Sequence, residues 1–145
     1  MADSPEVRLF NPAELAPPRG FAHAAAAGGW VWLGGQISSD AAGTVLHPGD
    51  MAAQFRRAIR NVAIALRAAG CRPDGVVKLT YFVTDVAAYR AALRPIGQAY
   101  REIFGRHYPA TSLFEVKGLF EPGALIEIEC VAVQENPRPP SAQTA

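Results

Sequence analysis

The most regular pattern in the chain is a set of apolar residues spaced three and four apart over residues 51–69. The arginines of this segment fall mostly on other faces of the corresponding helical wheel. Asp50 precedes the segment as a candidate N-cap, and Gly70 follows it as a candidate C-cap. The spacing predicts an amphipathic helix with one buried face and one solvated face.

Strand patterns lie on both sides of this helix. Before it, the Gly28-Gly29 pair separates two short apolar runs and is typical of a tight hairpin turn, in which glycine supplies positive φ. After it, residues 76–84 have the β-branched and aromatic content of a central strand. Residues 112–117 and 125–134 predict two further strands.

A second helical stretch covers residues 86–104, and Pro95 is expected to kink it or divide it in two. The order of strands, helix, strand, helix and strands predicts an α+β domain, with helices packed on one face of a mixed sheet. We expect a single domain over residues 9–135. A flexible segment is expected at residues 1–8 and a disordered proline-rich tail at residues 136–145.

Composition narrows the class of protein. Half of the 145 residues are hydrophobic and 19% are charged, as in one globular domain. The formal net charge of +1 argues against binding of nucleic acid through a basic surface. No apolar stretch is long enough to span a membrane, and the N-terminus lacks the apolar core of a secretory signal. We therefore expect a cytoplasmic protein in which Cys71 and Cys130 remain thiols.

The last predicted strand carries two carboxylates on one face. Because side chains alternate along a strand, Glu127 and Glu129 point away from the apolar residues of the segment. Mutual repulsion or burial would raise a carboxyl pKa, so the pair could activate a water molecule. The alternative, which spacing alone favours, is a wetted strand face with salt bridges to Lys78 or Lys117.

Aromatic residues outline a possible pocket near the first hairpin. Trp30, Trp32 and Gly34 share one strand face, where a bulky side chain lies beside a position that has none. Tryptophan more commonly fills a core or a subunit contact, so both uses remain open. His23, on the neighbouring strand, is either a proton carrier near that pocket or, more commonly, a hydrogen-bonded structural histidine.

The sequence shows no motif for a metal site, a nucleotide-binding loop or a serine triad. The three histidines occupy separate segments without ligand spacing, so no metal site is expected. No glycine-rich fingerprint precedes a helix and no Gly-x-Ser-x-Gly elbow occurs, so we expect no nucleotide cofactor and no serine triad. The arginines of residues 51–69 are interpreted as a solvated helix face rather than a phosphate site.

A series of short motifs follows the chain from Leu9 to Val133. These motifs are Asn11-Pro12, Gly20-Phe21, Trp32-Leu-Gly-Gly-Gln-Ile37, Met51-Ala-Ala-Gln-Phe55, Ala68-Ala-Gly70, Val77-Lys-Leu-Thr-Tyr-Phe-Val-Thr-Asp85, Pro109-Ala110 and Ile126-Glu-Ile-Glu129. In order and spacing they resemble the YjgF/RidA family. The resemblance implies a chorismate-mutase-like α+β subunit, assembled as a homotrimer with a cleft at each subunit interface.

The resemblance also implies an activity, the hydrolysis of reactive imines or enamines derived from amino acids to a keto acid and ammonia. In that chemistry a glutamate on the last strand positions the attacking water, and it matches Glu127. An arginine after the Pro-Ala step clamps the substrate carboxylate, but Thr111 occupies that position here. A neutral hydroxyl cannot replace a bidentate guanidinium contact, so hydrolysis of free imino acids is not expected.

Three further positions of the implied cleft differ from the family pattern. Phe21 replaces a tyrosine, Gly34 replaces a serine and Gly97 replaces an asparagine. With Trp32 beside them, these residues are expected to suit a neutral or aromatic substrate held by burial. Two functions remain open: a hydrolase acting on a neutral or bulky imine, enamine or related electrophile, or a non-catalytic trimeric module that binds a small ligand. A ribonuclease or translation inhibitor, a description given to relatives, is disfavoured by the low charge.

Overall fold

In the computed structural model, which describes residues 6–135, six strands form one mixed sheet. The strands are β1 (Arg8–Phe10), β2 (Ala24–Ala27), β3 (Trp30–Gln36), β4 (Val76–Val83), β5 (Ala110–Glu115) and β6 (Ile126–Val133). Their order is β1-β2-β3-β6-β4-β5, and every neighbouring pair is antiparallel except β4 and β5. Although β6 comes last in the described chain, it therefore lies in the interior of the sheet, between β3 and β4.

Helices cover one face of this sheet. They are α1 (Met51–Ala68), α2 (Val86–Ala91) and α3 (Leu93–Phe104). α1 connects β3 to β4, while α2 and α3 connect β4 to β5, and both connections join parallel strands in the same direction along the sheet. Because such crossovers are almost always right-handed, both place their helices on the same face. The predicted α+β architecture is confirmed. The opposite face, which we call the open face, is not covered by any helix of residues 6–135.

The predicted long helix and its N-cap are confirmed, whereas the C-cap is Ala69, one residue before the predicted Gly70. α1 begins at Met51, and Asp50 Oδ1 accepts a hydrogen bond from the Ala53 N–H at 3.0 Å. Gly70, just past the helix end, has φ of +73°, which a residue with a side chain rarely adopts. The apolar stripe packs against β6 and β3 and includes the fully buried side chains of Phe55, Ile59, Val62 and Leu66.

The second helical segment is divided as predicted, but not at Pro95. The break lies at Ala92, and Pro95 is the third residue of α3. The first turn of a helix has N–H groups without intrahelical acceptors, so a proline there removes no hydrogen bond. The proline therefore belongs to the start of a helix, and the predicted position of the break was wrong by three residues.

The first strand begins slightly before the predicted start of the domain. β1 includes Arg8, one residue before the predicted start of the domain, and pairs with β2. Residues 1–5 of the N-terminal segment and all of the predicted tail, residues 136–145, lie outside the described residues. Within residues 6–135, no helix combines the length and the apolar character that a membrane crossing requires.

A buried glutamine of α1 fixes the point at which β6 enters the sheet. The Gln54 side chain is fully buried, and its Nε2 donates to the carbonyls of His47 at 3.2 Å and Gly123 at 2.9 Å. Its Oε1 accepts from the Leu125 N–H at 2.8 Å. These contacts satisfy the buried amide of Gln54 and join the backbone of two loops to α1. Gln54 therefore positions the residue immediately before β6, two residues from Glu127.

We expect Gln54→Ala to lower the free energy of unfolding by roughly 1–3 kcal/mol, because the three hydrogen bonds of this buried amide are lost. Urea denaturation at a fixed protein concentration measures the change. The matched control is Gln98→Ala, which truncates an exposed glutamine of α3 and should change stability by less than about 0.5 kcal/mol. Equal effects of the two substitutions would contradict the assigned role of Gln54.

Candidate functional site

Glu127 lies on the open face near the middle of the sheet. Side chains of β6 alternate as predicted: Ile126 and Ile128 are buried under the helices, whereas Glu127 is half-buried on the other side. Its register partner on β4 is Phe82, which stacks on Phe114 of β5 with ring centroids 6.1 Å apart. The carboxylate therefore has an apolar surface along one flank.

On the other flank of Glu127, β3 contains a bulge. Leu33 pairs with Cys130 and Gln36 pairs with Ile128, so three steps along β3 face two steps along β6. A side-chain carbon added to Gly35 would overlap Glu127 Oε1, so only glycine leaves room for this carboxylate. Sequence analysis selected Gly34 and missed Gly35. A Gly-Gly pair within a strand was the available signal, since it often marks a bulge or a close approach.

The electrostatic setting of Glu127 favours the protonated acid more than water does. Burial raises the pKa of the Glu127 carboxyl, and the neighbouring charge of Glu129 raises it further. Within residues 6–135 neither glutamate forms a salt bridge, and Lys78 Nζ donates to Ser112 Oγ at 2.7 Å instead. The salt-bridged alternative is therefore wrong. Glu127 is a half-buried base without a cationic partner, a setting typical of catalytic carboxylates.

A cavity of about 640 Å³ opens on the same face, beside β2 and β3. Three of the predicted cleft residues, Phe21, Trp32 and Gly34, line it together. The only polar side chain among its lining residues is that of Asn11, whose Oδ1 accepts from the His23 N–H at 2.9 Å. The cavity walls are therefore apolar, with no charged group to select an ionic ligand. Glu127 is not among the lining residues.

The two tryptophans of β3 do not fill the core. Trp30 and Trp32 are 44% and 49% exposed, and both project from the open face. Of the uses weighed from sequence, only the pocket and the subunit contact remain. Both involve this face of the sheet.

His23 is a structural histidine in this fold. It is buried, its Nε2 donates to the Ala16 carbonyl at 2.7 Å, and its Nδ1 accepts from Gln36 Nε2 at 3.1 Å. Gln36 Nε2 also donates to the Gly34 carbonyl, which fixes the orientation of the amide. Both ring nitrogens are occupied, so the imidazole joins the connector before β2 to β3 rather than facing a ligand.

Gly97 and Thr111 lie apart from the other candidate residues. Thr111 pairs in register with Leu79, whose side chain is fully buried under the helices, so Thr111 projects to the helix side of edge strand β5. Its Oγ1 donates to the Pro109 carbonyl at 2.9 Å. Gly97 belongs to α3, in the helix layer. Glu127 projects from the opposite face of the sheet, so one chain does not bring the two sets together.

No side-chain cluster resembling a metal site is present in the part of the chain that the structure describes, since no three His, Cys, Asp or Glu residues are grouped to hold an ion. Cys71 and Cys130 are buried free thiols, as expected. The open face therefore presents one carboxyl with a raised pKa, a second carboxyl beside it and an apolar cavity nearby.

Comparison with known proteins identifies the family. The sequence profile of the family described as "Endoribonuclease L-PSP" matches residues 12–134. The human protein named "2-iminobutanoate/2-iminopropanoate deaminase" is 32% identical over 104 residues, which cover 72% of each chain. A RutC family protein of Synechocystis is 33% identical over 129 residues, covering 88% of this chain and 96% of that protein.

Solved structures agree with this assignment. A translation-inhibitor homologue from Vibrio vulnificus has a TM-score of 0.77 at 32% identity, covering 88% of this chain and 99% of the other. A Mycobacterium tuberculosis protein described as a member of the "YjgF/YER057c/UK114 family" has a TM-score of 0.65 at 32% identity, with coverage of 83% and 97%. This chain therefore belongs to the Endoribonuclease L-PSP family, the YjgF/RidA family, and has its chorismate-mutase-like fold.

Proposed function

We propose that this protein hydrolyses a neutral or bulky imine, enamine or related small electrophile, with Glu127 positioning the attacking water. The main support is the state of the Glu127 carboxyl. It is half-buried on the open face, its pKa is raised, and it has no salt-bridge partner among residues 6–135. The names of the relatives, which include deaminases of 2-imino acids, support an imine as the reactive group.

The proposed chemistry needs one group that can accept and return a proton. Ionised Glu127 accepts a proton from water as the water oxygen attacks the carbon of a neutral imine, and it returns that proton to the imine nitrogen, which gives a neutral carbinolamine. The carbinolamine hydroxyl then gives its proton to Glu127, which passes it to the amino nitrogen as the carbon–nitrogen bond breaks. A carbonyl compound and ammonia leave, and Glu127 is ionised again. A carboxyl with a raised pKa suits both steps, since it is a stronger base than an ordinary glutamate and still returns the proton.

The substrate class follows from what the candidate residues lack. Thr111 stands where an acid-binding arginine would, and its hydroxyl is already bonded to Pro109 within its own strand region. The lining of the cavity beside Trp32 is apolar and uncharged. A substrate carboxylate would lose its hydration there without a bidentate partner in return, whereas a neutral group would gain from burial.

We propose that the cleft forms between subunits of a homotrimer. One chain leaves Glu127 on the open face and Thr111 with Gly97 on the helix side, so a second copy is needed to unite them. The open face also exposes large apolar side chains, which a monomer rarely leaves in water. They include Leu9, Trp30, Trp32, Phe114 and Val133.

A second candidate is a non-catalytic trimeric module that binds a small ligand. The observation that favours it is the loss of polar contacts at Gly34, Gly97 and Thr111, since the first two have no side chain and the third hydroxyl is bonded internally. Binding without turnover would stabilise the protein toward heat, and the stabilisation would grow with the logarithm of the ligand concentration once it exceeds the Kd. Thermal shifts by imine analogues with no ammonia release would favour this candidate.

Ammonia release from a carboxylate-free imine, generated in place by an amine oxidase, tests the proposal. We expect Glu127→Gln to lower the rate by roughly 10²–10⁴, the usual contribution of a general base. Because folding raises the Glu127 pKa, its ionised form lowers stability as pH rises, and the neutral amide should not reduce the unfolding temperature at neutral pH.

The matched control for this substitution is Glu121→Gln, which removes an exposed carboxylate before β6 and should leave the rate unchanged. An unchanged rate in Glu127→Gln would refute the catalytic assignment. Turnover of RNA by the wild type, lost in Glu127→Gln, would instead point to the activity in the family's description.

The pH dependence gives a separate prediction for Glu129. The charge of Glu129 helps to raise the Glu127 pKa, so Glu129→Gln should lower that pKa. Since Glu127 acts when ionised, the acidic limb of the kcat/KM profile should move to lower pH in this variant. Rates measured from about pH 4 to 8 check the shift. Movement of the limb to higher pH would contradict the coupling of the two carboxyls.

A further inference from the structure

A second cavity, of about 330 Å³, lies in the helix layer between the first half of α1 and the start of α3. Its lining includes three arginines of α1, Arg56, Arg57 and Arg60, which follow one another at positions i, i+1 and i+4. His47 and Pro95 also line this cavity, at its rim. We call this feature the arginine groove. It is separate from the cavity at Trp32, on the other face of the sheet.

The three guanidinium groups of the arginine groove differ in what they already bind. Arg57 is anchored, because its Nε donates to the Ser39 carbonyl at 2.9 Å, and this leaves its terminal nitrogens for another acceptor. Arg56 pairs with Glu102 of α3 across the groove. Arg60 is exposed and forms no salt bridge within residues 6–135. Within residues 6–135, Arg57 and Arg60 therefore both retain guanidinium donors for a further acceptor.

The charge balance of the arginine groove stays positive after its own carboxylates are counted. Asp50 lines the groove and Glu102 pairs with Arg56, so two carboxylates oppose three guanidinium groups. Asp50 Oδ1 is also engaged, since it accepts from the Ala53 N–H as the helix cap. An anion entering the groove would therefore meet a net positive charge, and a cation would be repelled.

His47 is held at the rim by strained backbone. Its φ of +57° is the only positive value for a non-glycine residue in residues 6–135. The conformation is fixed because the His47 carbonyl accepts both from Gln54 Nε2 and from the Asp50 N–H, each at 3.2 Å. Non-glycine residues in this region are uncommon and concentrate at functional sites. His47 therefore lies on the rim of the groove in a fixed backbone conformation, beside the three arginines.

Although the sequence alone favours a solvated helix face for these arginines, we infer from the cavity they line that the arginine groove binds a phosphate-bearing small molecule. Guanidinium groups match phosphate oxygens in bidentate geometry, and several arginines on one face favour a ligand with adjacent phosphates over a single carboxylate. The cavity volume is at the lower end of the range for small-ligand sites, enough for a diphosphate with part of the group it carries. This binding is independent of imine hydrolysis on the open face.

Calorimetric titration of the full chain with inorganic pyrophosphate tests the inference, with a nucleoside diphosphate as a second ligand to show whether more than the phosphates is recognised. We expect saturable binding at one site per chain. Arg60→Glu should weaken it by at least about tenfold, because a carboxylate replaces a guanidinium in the groove. Since Arg60 is exposed, the variant should keep the wild-type unfolding temperature.

The matched control is Arg67→Glu, on the same helix, where Arg67 lies outside the groove and, among residues 6–135, forms a salt bridge with Glu14 at 3.8 Å. It changes the net charge equally, so general attraction of anions would weaken binding equally in both variants. Equal weakening would overturn the inference. No saturable binding of pyrophosphate by the wild type up to about 10 mM would also overturn it.

Discussion

β6 joins the two halves of the sheet and determines the face on which Glu127 lies. This strand comes last in the described chain but lies between β3 and β4, so it completes the sheet and joins its two halves. Its apolar residues must face the helices, and alternation then sends Glu127 to the open face. The buried amide of Gln54 binds the backbone just before β6 and sets this register from α1. The same strand register therefore packs the core and places the Glu127 carboxylate on the open face.

Local patterns were sufficient for most of the fold. The α1 N-cap, the Gly28-Gly29 turn and the alternation along β6 depend on neighbours close in sequence, so the chain displays them directly. The break before Pro95 was misplaced because the effect of proline depends on its position within a helix. The role of Gly35 depends on pairing between strands far apart in sequence. Local patterns therefore identified Glu127 but not Gly35, the glycine that leaves room for its carboxylate.

The candidate site divides between the two faces of the sheet for a topological reason. Both crossovers place helices on one face, so residues of α3 and the inward side of β5 share that side, whereas Glu127 and the Trp32 cavity share the other. The faces meet only if the edge of one subunit approaches the open face of another. In our proposal, this same contact covers the exposed tryptophans and assembles the cleft.

Ammonia release from two imines with the same side chain, one made from an amino acid and the other from the corresponding amine, shows whether the proposed cleft acts on imines without a carboxylate. We expect the wild type to prefer the imine of the amine, and Thr111→Arg to shift the preference toward the imino acid. A wild type that prefers the imino acid, with no change in Thr111→Arg, would refute this substrate class.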